Sequence, residues 1–456
     1  IPEHVPTMRE FTHPEWWRNN WCNRELYRQR GTWPMDSVFD DGLEFLKLNE
    51  KQDNWFLQIE TFSPHEPFDV QEESDPEYKG PHFDWPPYAP VTETKEQVEH
   101  IRKRYAAVLS QCDRNLGRVL DFMDEHDMWK DTMLIVNTDH GFLLGEKDWW
   151  AKSVMPCYNE LANIPFFIWN PKTPVQGERR KALCQTIDIP VTLLDFFDIP
   201  AEQEMQGKSL NSVLKSDEKL RDYALFGFHG TFINITDGRY LYMRASASIG
   251  NTPLNEYTLM PAHQENLFTP KELKKIEICG PLSFTKGACL MKIPVQSRLA
   301  NATFCNSFQY GNLLFDLQED PEQLCPLEAR MIRALIAKMQ ESDAPDEQYE
   351  RLGLQKDVVY SPELVLSERA KRPGFESFPV TKDYQWEPDA KHIFIGMLSL
   401  IGEERLEEYF SALRDVMEQT GDSIVKRKHF EMLAKKFYSK DEGKIFYFIN
   451  KLARIR

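Results

Sequence analysis

The chain has 456 residues, 41% of them hydrophobic and 28% charged, and a formal net charge of −17 from 55 basic and 72 acidic side chains. That length allows a large core and more than one domain. The acidic balance argues against a general binder of nucleic acid or membrane surface, which needs basic patches, and no apolar run approaches the ~18 residues of a spanning helix. An anionic small substrate, which senses only the local field, stays open.

Residues 1–36 are rich in Trp, Pro and Arg and read as irregular, aromatic-packed structure. Ser37 to Lys51 has a helical period, with Asp40 and Asp41 inside it. Adjacent acids suit a helix's first turn, or else a metal. Trp55 to Thr61 reads as a strand running into Phe62-Ser63-Pro64-His65-Glu66-Pro67-Phe68. A His between two prolines sits on a stiffened loop, which suits a side chain that must be placed accurately. The segment from Asp69 to Pro90 has no period and contains His82 and Trp85; it reads as an ordered loop that walls a pocket.

Thr94 to Asp127 is the clearest helix, with apolar residues at three- and four-residue steps and capping-box spacing between Thr94 and Gln97. It hands the chain to Met133-Leu134-Ile135-Val136, a short apolar run of buried-strand type. There follow Asn137-Thr138-Asp139-His140-Gly141 and then Lys152. In open α/β sheets ligands gather beyond the carboxyl ends of strands. Asp139 can give oxygen to a hard cation, and His140 a ring nitrogen or a hydrogen bond. Lys152 offers a cation to an anionic substrate. Taken alone, the same stretch also reads as a strand end with a tight turn and a surface Lys.

Ile164 to Trp169 is a second buried-strand candidate, and Thr186 to Phe197 an amphipathic helix with Pro190 in its first turn. Short strands are expected at 225–228, 232–236 and 240–244, with Asp237-Gly238 as a hairpin turn between the last two. Leu313 to Leu317 closes this region, and Leu327 to Ser342 is a helix. A polar linker with Pro362, Pro373 and Pro379 leads to about four helices in 391–456, whose default role is a packing or partner surface.

The eight cysteines are dispersed without a CxxC pair, which reads as free thiols and favours a cytoplasmic over a secreted location. Asn-x-Thr triplets begin at Asn234 and Asn301. The expected fold class is α/β: a mostly parallel sheet flanked by helices over 1–220, a small antiparallel subdomain with a closing helix over 221–355, and a linker with a helical appendage over 356–456.

In order and spacing, these segments resemble the sulfatase family of the alkaline-phosphatase superfamily over about residues 35–355. The resemblance rests on WFLQIETFSPHEPF, on RYAAVLSQCDRNLGRVLDFMDEHDMWKDTMLIVNTDHGFLLGEKDWWAK, on ELANIPFFIW and IDIPVTLLDFFDIPAEQEMQGKSL, and on ITDGRYLYM and LLFDLQEDPEQLCPLE. It implies hydrolysis of a sulfate ester, on a small molecule or glycan, with one divalent cation, usually Ca2+. Asp139 and His140 would belong to the metal shell, although family members often carry Asn at the second position. Lys152 and His65 would contact the sulfate and the leaving-group oxygen. His229, with His82 and Trp85, would line the substrate pocket.

One departure limits the likeness. The family's nucleophile lies in a Cys/Ser-x-Pro-x-Arg motif, oxidised to formylglycine, and this chain holds no such pattern. Thr12-His13-Pro14-Glu15-Trp16 and Thr32-Trp33-Pro34-Met35-Asp36 both fail at the Arg position. The expectation is a carboxy-terminal portion of a sulfatase, inactive alone. A phosphoryl or phosphonyl hydrolase of the superfamily and a non-catalytic binding protein are the alternatives.

Overall fold

The structure is a computed structural model that describes residues 26–27, 29–31, 33–69, 86, 88, 91, 93–262, 267–295, 305, 307–317, 325–371, 375–401 and 405–437. His82, Trp85, Asn301 and the last expected helix near the carboxyl terminus lie outside them. The chain divides into two compact units, Ile1–Lys152 with Asn163–Gln176, and Ser153–Ala162 with Gly177–Arg456.

The first unit is built on two helices, α1 (Pro34–Asn49) and α2 (Lys95–Glu125). The second starts where its sequence predicts: Thr94 caps it, accepting from Gln97 N while Gln97 returns the bond to Thr94 N. α1 begins at Pro34, three residues earlier than expected, because proline is pre-set for a helix's first turn. Asp40 and Asp41 therefore fall in its second turn rather than at the capping position. Asp40 accepts a hydrogen bond from Arg118 of α2. Leu43 and Leu46 of α1 pack with Val119, Phe122 and Met123 of α2 to form the core of this layer.

Strand β1 (Leu134–Asn137) pairs antiparallel with a later strand of this unit, Leu134 facing Trp169 and Asn137 facing Phe166. Between them in sequence come β2 (Leu143–Leu144) and β3 (Trp150–Ala151), a small hairpin, and the later strand itself is β4 (Phe166–Trp169). The expected mostly parallel sheet is not found among the described residues, where the two-residue pairing of 385–386 with 424–425 is the parallel one. Trp55–Thr61 alternates half-buried and exposed side chains as a strand does, yet it joins no ladder among the described residues. Its Trp55, Leu57 and Ile59 rest on the α1–α2 core, as does Leu134.

The second unit follows its pattern more closely. Helix α3 (Asp188–Phe196) is held at its start by Asp188, which is fully buried and bonded by both terminal nitrogens of Arg221. Four antiparallel strands, β5 (Ala224–Phe226), β6 (Ile233–Thr236), β7 (Tyr240–Arg244) and β8 (Leu313–Asp316), lie in the order β8-β7-β6-β5. Helix α4 (Cys325–Glu341) covers them through Met331, Ile332 and Leu335, against Ile235, Tyr242 and Leu314. Asn234 is fully buried and donates to Phe226 O, so the first Asn-x-Thr triplet presents no accessible acceptor. The region expected as a linker contains a further helix, α5 (Pro362–Lys371), whose Val365 is buried in the same core. Pro362 opens that helix rather than interrupting chain order. The carboxy-terminal helices α6 (Pro388–Ile401), α7 (Leu406–Thr420) and α8 (Arg427–Phe437) share a core of Phe394, Tyr409, Leu413 and Phe430 that also takes in Ile249 and Phe308.

Candidate active site

The site lies wholly in the first unit. Trp55–Thr61 delivers the chain to His65, and both ends of that loop are anchored. On the incoming side Ile59 seats against Gly42 of α1, where an added Cβ would lie 2.6 Å from Ile59 Cδ1. On the outgoing side Phe68 is fully buried, edge-on to Tyr105 and Phe142. The buried Arg104 of α2 donates to Phe68 O at 3.2 Å. Within the loop His65 N donates to Phe62 O, and the His65 ring lies 4.1 Å from the Phe62 ring.

Lys152 arrives from the other direction, at the end of the β2–β3 hairpin. Trp150 is fully buried and donates from Nε1 to Glu93 at 2.7 Å. Ala151, also buried, has φ of +71°, a costly conformation for a side chain with Cβ, and it turns the chain directly before the lysine. Lys152 ends 9% exposed. That is unusual for a lysine that no carboxylate contacts among the described residues.

Three predicted residues meet there. Lys152 Nζ lies 2.7 Å from His65 Nε2 and 3.3 Å from His140 Nε2. The other ring nitrogens face acceptors: His65 Nδ1 lies 2.7 Å from Glu66 O, and His140 Nδ1 2.8 Å from Gly141 O. An ammonium has three protons to give and no lone pair. Both imidazoles are thereby assigned as Nδ1–H tautomers whose Nε2 lone pairs accept from Lys152, leaving the third ammonium proton for a ligand. Burial, above all, lowers the pKa of Lys152 and of His65, opposed in each case by the charge of Glu66. A dry cation beside two neutral imidazoles suits an anionic ligand with an oxygen that gains charge.

Asp139 stands at the edge of this cluster. One carboxylate oxygen accepts from His140 N at 2.9 Å, and the side chain is 83% exposed. A divalent cation would find one available carboxylate here. His140 does not fit as a ligand in this arrangement, because its lone pair is turned to Lys152. Among the described residues no three His, Cys, Asp or Glu side chains gather as a metal site requires.

Of the remaining predicted residues, His229 lies in the second unit, exposed, with Nε2 3.0 Å from Asn255 O. Two residues were missed by reading the sequence. Glu66 is 2% exposed, and Tyr88 donates from its hydroxyl to Glu66 Oε1. The signal for Glu66 was present: an acid directly after the loop histidine, locked before Pro67. Tyr88 had none, being one of several aromatics in an aperiodic stretch.

The family model described as Sulfatase matches residues 5–199, and that described as N-sulphoglucosamine sulphohydrolase, C-terminal, matches residues 145–275. The chain belongs to the sulfatase family of the alkaline-phosphatase superfamily. Among its relatives, an arylsulfatase of Clostridium perfringens is 24% identical over 227 residues, covering 45% of this chain and 47% of that protein. An N-acetylglucosamine-6-O-sulfatase of Bacteroides thetaiotaomicron is 32% identical over 123 residues, covering 27% of this chain and 22% of that protein. The chain thus spans less than half the length of either curated relative. A solved phosphonate monoester hydrolase of Agrobacterium radiobacter shares 21% identity, covering 45% of this chain and 51% of that chain, with a TM-score of 0.37, too low to carry an argument.

Proposed function

We propose that this sulfatase chain supplies the leaving-group side of an active site that hydrolyses a sulfate ester on a small molecule or glycan. The observation that carries the reading is the ammonium of Lys152, buried and held by His65 at 2.7 Å and His140 at 3.3 Å. When the bond between sulfur and the bridging oxygen breaks, its electron pair stays on that oxygen. A cation with one uncommitted proton stabilises the departing alkoxide and protonates it to the alcohol. His65 and His140 keep that cation aimed by accepting from it, and the amine left after the transfer regains its proton from water.

The attacking group is not among these residues, since no Cys/Ser-x-Pro-x-Arg pattern occurs in the chain. On this reading a formylglycine made in such a motif comes from another segment or a partner chain. A divalent cation, Ca2+ by resemblance, would be held here by Asp139 and would need its other ligands from outside the described residues.

The test is a rate comparison on paired aryl sulfate and aryl phosphate or phosphonate esters, using the protein assembled with its nucleophile segment. Preference for the sulfate, abolished in Lys152→Ala, supports the reading. Preference for the phosphorus ester would make it a phosphoryl or phosphonyl hydrolase. Binding of sulfated ligands with no turnover of any ester would make it a binding protein.

A further inference from the structure

The carboxylate of Glu66 has no part in the scheme above, yet it is one of the most deeply buried charged groups of the first unit, 2% exposed. A buried carboxylate costs several kcal/mol unless it is well paired. Here Oε1 accepts from the Tyr88 hydroxyl, while Oε2 is buried without a hydrogen bond from the described residues and lies 3.2 Å from His65 Nδ1. The same ring nitrogen lies 2.7 Å from the backbone oxygen of Glu66. Two acceptors of one residue therefore crowd one side of the imidazole, and Lys152 occupies the other at 2.7 Å. The order carboxylate, imidazole, ammonium places a buried anion and a buried cation at opposite ends of one ring.

We propose that Glu66, seated by Tyr88, is a positioning residue that fixes the tautomer and the aim of His65. Its negative charge favours the proton on Nδ1 and disfavours the alternative tautomer, in which a lone pair would face two oxygens and an N–H would face an ammonium. Tyr88 satisfies the far oxygen and so keeps the near one turned to the ring. The Phe62 ring, 4.1 Å from that of His65, limits rotation. A merely structural Glu66 would act through shape, and a side chain of the same shape without charge would replace it. A positioning Glu66 acts through charge, and the same replacement fails. Only the catalytic consequence rests on the sulfate-ester reading; the tautomer does not.

The experiment is 15N NMR of the histidine rings in the 456-residue chain, with the His65 signals assigned through His65→Gln. The native chain gives one form, protonated at Nδ1. Glu66→Gln and Glu66→Ala each give a mixture with a tenth or more of the Nε2–H form, and Tyr88→Phe gives a smaller fraction. A folded Glu66→Gln chain that keeps the single native form overturns the proposal; that variant conserves shape, so it decides even where Glu66→Ala fails to fold. In the assembled enzyme Glu66→Gln lowers kcat on the order of 10- to 100-fold with KM little changed. An unchanged kcat in an active enzyme also overturns it, whereas an inactive native enzyme counts against the sulfate-ester reading and leaves the NMR to judge Glu66.

Discussion

Replacing Lys152 by Met separates a lysine kept for chemistry from one kept for stability. Met follows the lysine stem and removes the ammonium. What is lost is two hydrogen bonds from a charged donor, to His65 and His140, worth together about 3–6 kcal/mol. What is recovered is the desolvation of an ammonium held 9% exposed, several kcal/mol after relaxation. The two nearly cancel, and the thioether adds apolar burial. Lys152→Met should therefore leave stability within about 1–2 kcal/mol of the native chain, or raise it, whereas a lysine that served as one half of a buried ion pair would cost about 3–5 kcal/mol to remove. Activity of the assembled enzyme should fall by about 10²–10³-fold. The assay is urea unfolding followed by tryptophan fluorescence on the 456-residue chain, with turnover measured in parallel. A destabilisation of about 3 kcal/mol or more would refute the argument, by showing that the ammonium is a structural counter-charge.

Three other outcomes follow from the same geometry. Burial holds the His65 pKa below its ordinary 6.5, so the folded chain stays neutral there while the unfolded chain takes up a proton. Stability should fall as pH drops through 6.5 toward the lowered value and level off below it. His65→Gln, compared with the native chain in urea midpoints from about pH 7.5 to about pH 5, should remove that slope; an unchanged slope would contradict the shift. The amides of Phe56 to Thr61, which join no backbone hydrogen bond among the described residues, should exchange with deuterium far faster than those of α2. Protection equal to that of α2 would show a ladder partner. Calorimetric titration of the 456-residue chain with Ca2+ should show weak binding, because one exposed carboxylate cannot replace the six to eight oxygens the ion prefers; tight binding would contradict the single-carboxylate reading.

Local features were legible in the sequence because local chemistry determines them. The Thr94 and Gln97 capping box marks the start of α2 to the residue. Asp237-Gly238 joins β6 and β7 in register, with Gly238 at φ +93°. Strand pairing was not legible. The apolar run in β1 reads as a buried strand, where the structure leaves Leu134 to Val136 half-buried, and it says nothing about which neighbour it pairs with or in which direction; that neighbour is β4, antiparallel. Trp55–Thr61 carries the alternation of a strand without a partner among the described residues, since alternation records one buried face and not a paired edge. Pro362 looked like a linker residue because proline is equally at home in loops and in a helix's first turn.

The site divides in the same way. His65, His140 and Lys152 could each be named from their local setting, but the convergence of residues 87 positions apart on one nitrogen is a tertiary fact. Glu66 stayed hidden because an acid beside a histidine usually faces water, and only burial turns it toward the ring. His140 was expected to serve a metal, and the hydrogen bond it makes with Lys152, 12 residues further on, could not be foreseen from the two side chains.

The central claim is that Lys152, steadied by His65, acts on the oxygen that leaves. Its most direct test is the dependence of rate on leaving-group acidity across a series of aryl sulfates, for the assembled enzyme and for Lys152→Ala. If the claim holds, the variant loses little on the most acidic phenols and progressively more on the least acidic ones, so its dependence is steeper. A loss of the same size across the whole series would contradict it, and would leave Lys152 as a contact for the sulfate group alone.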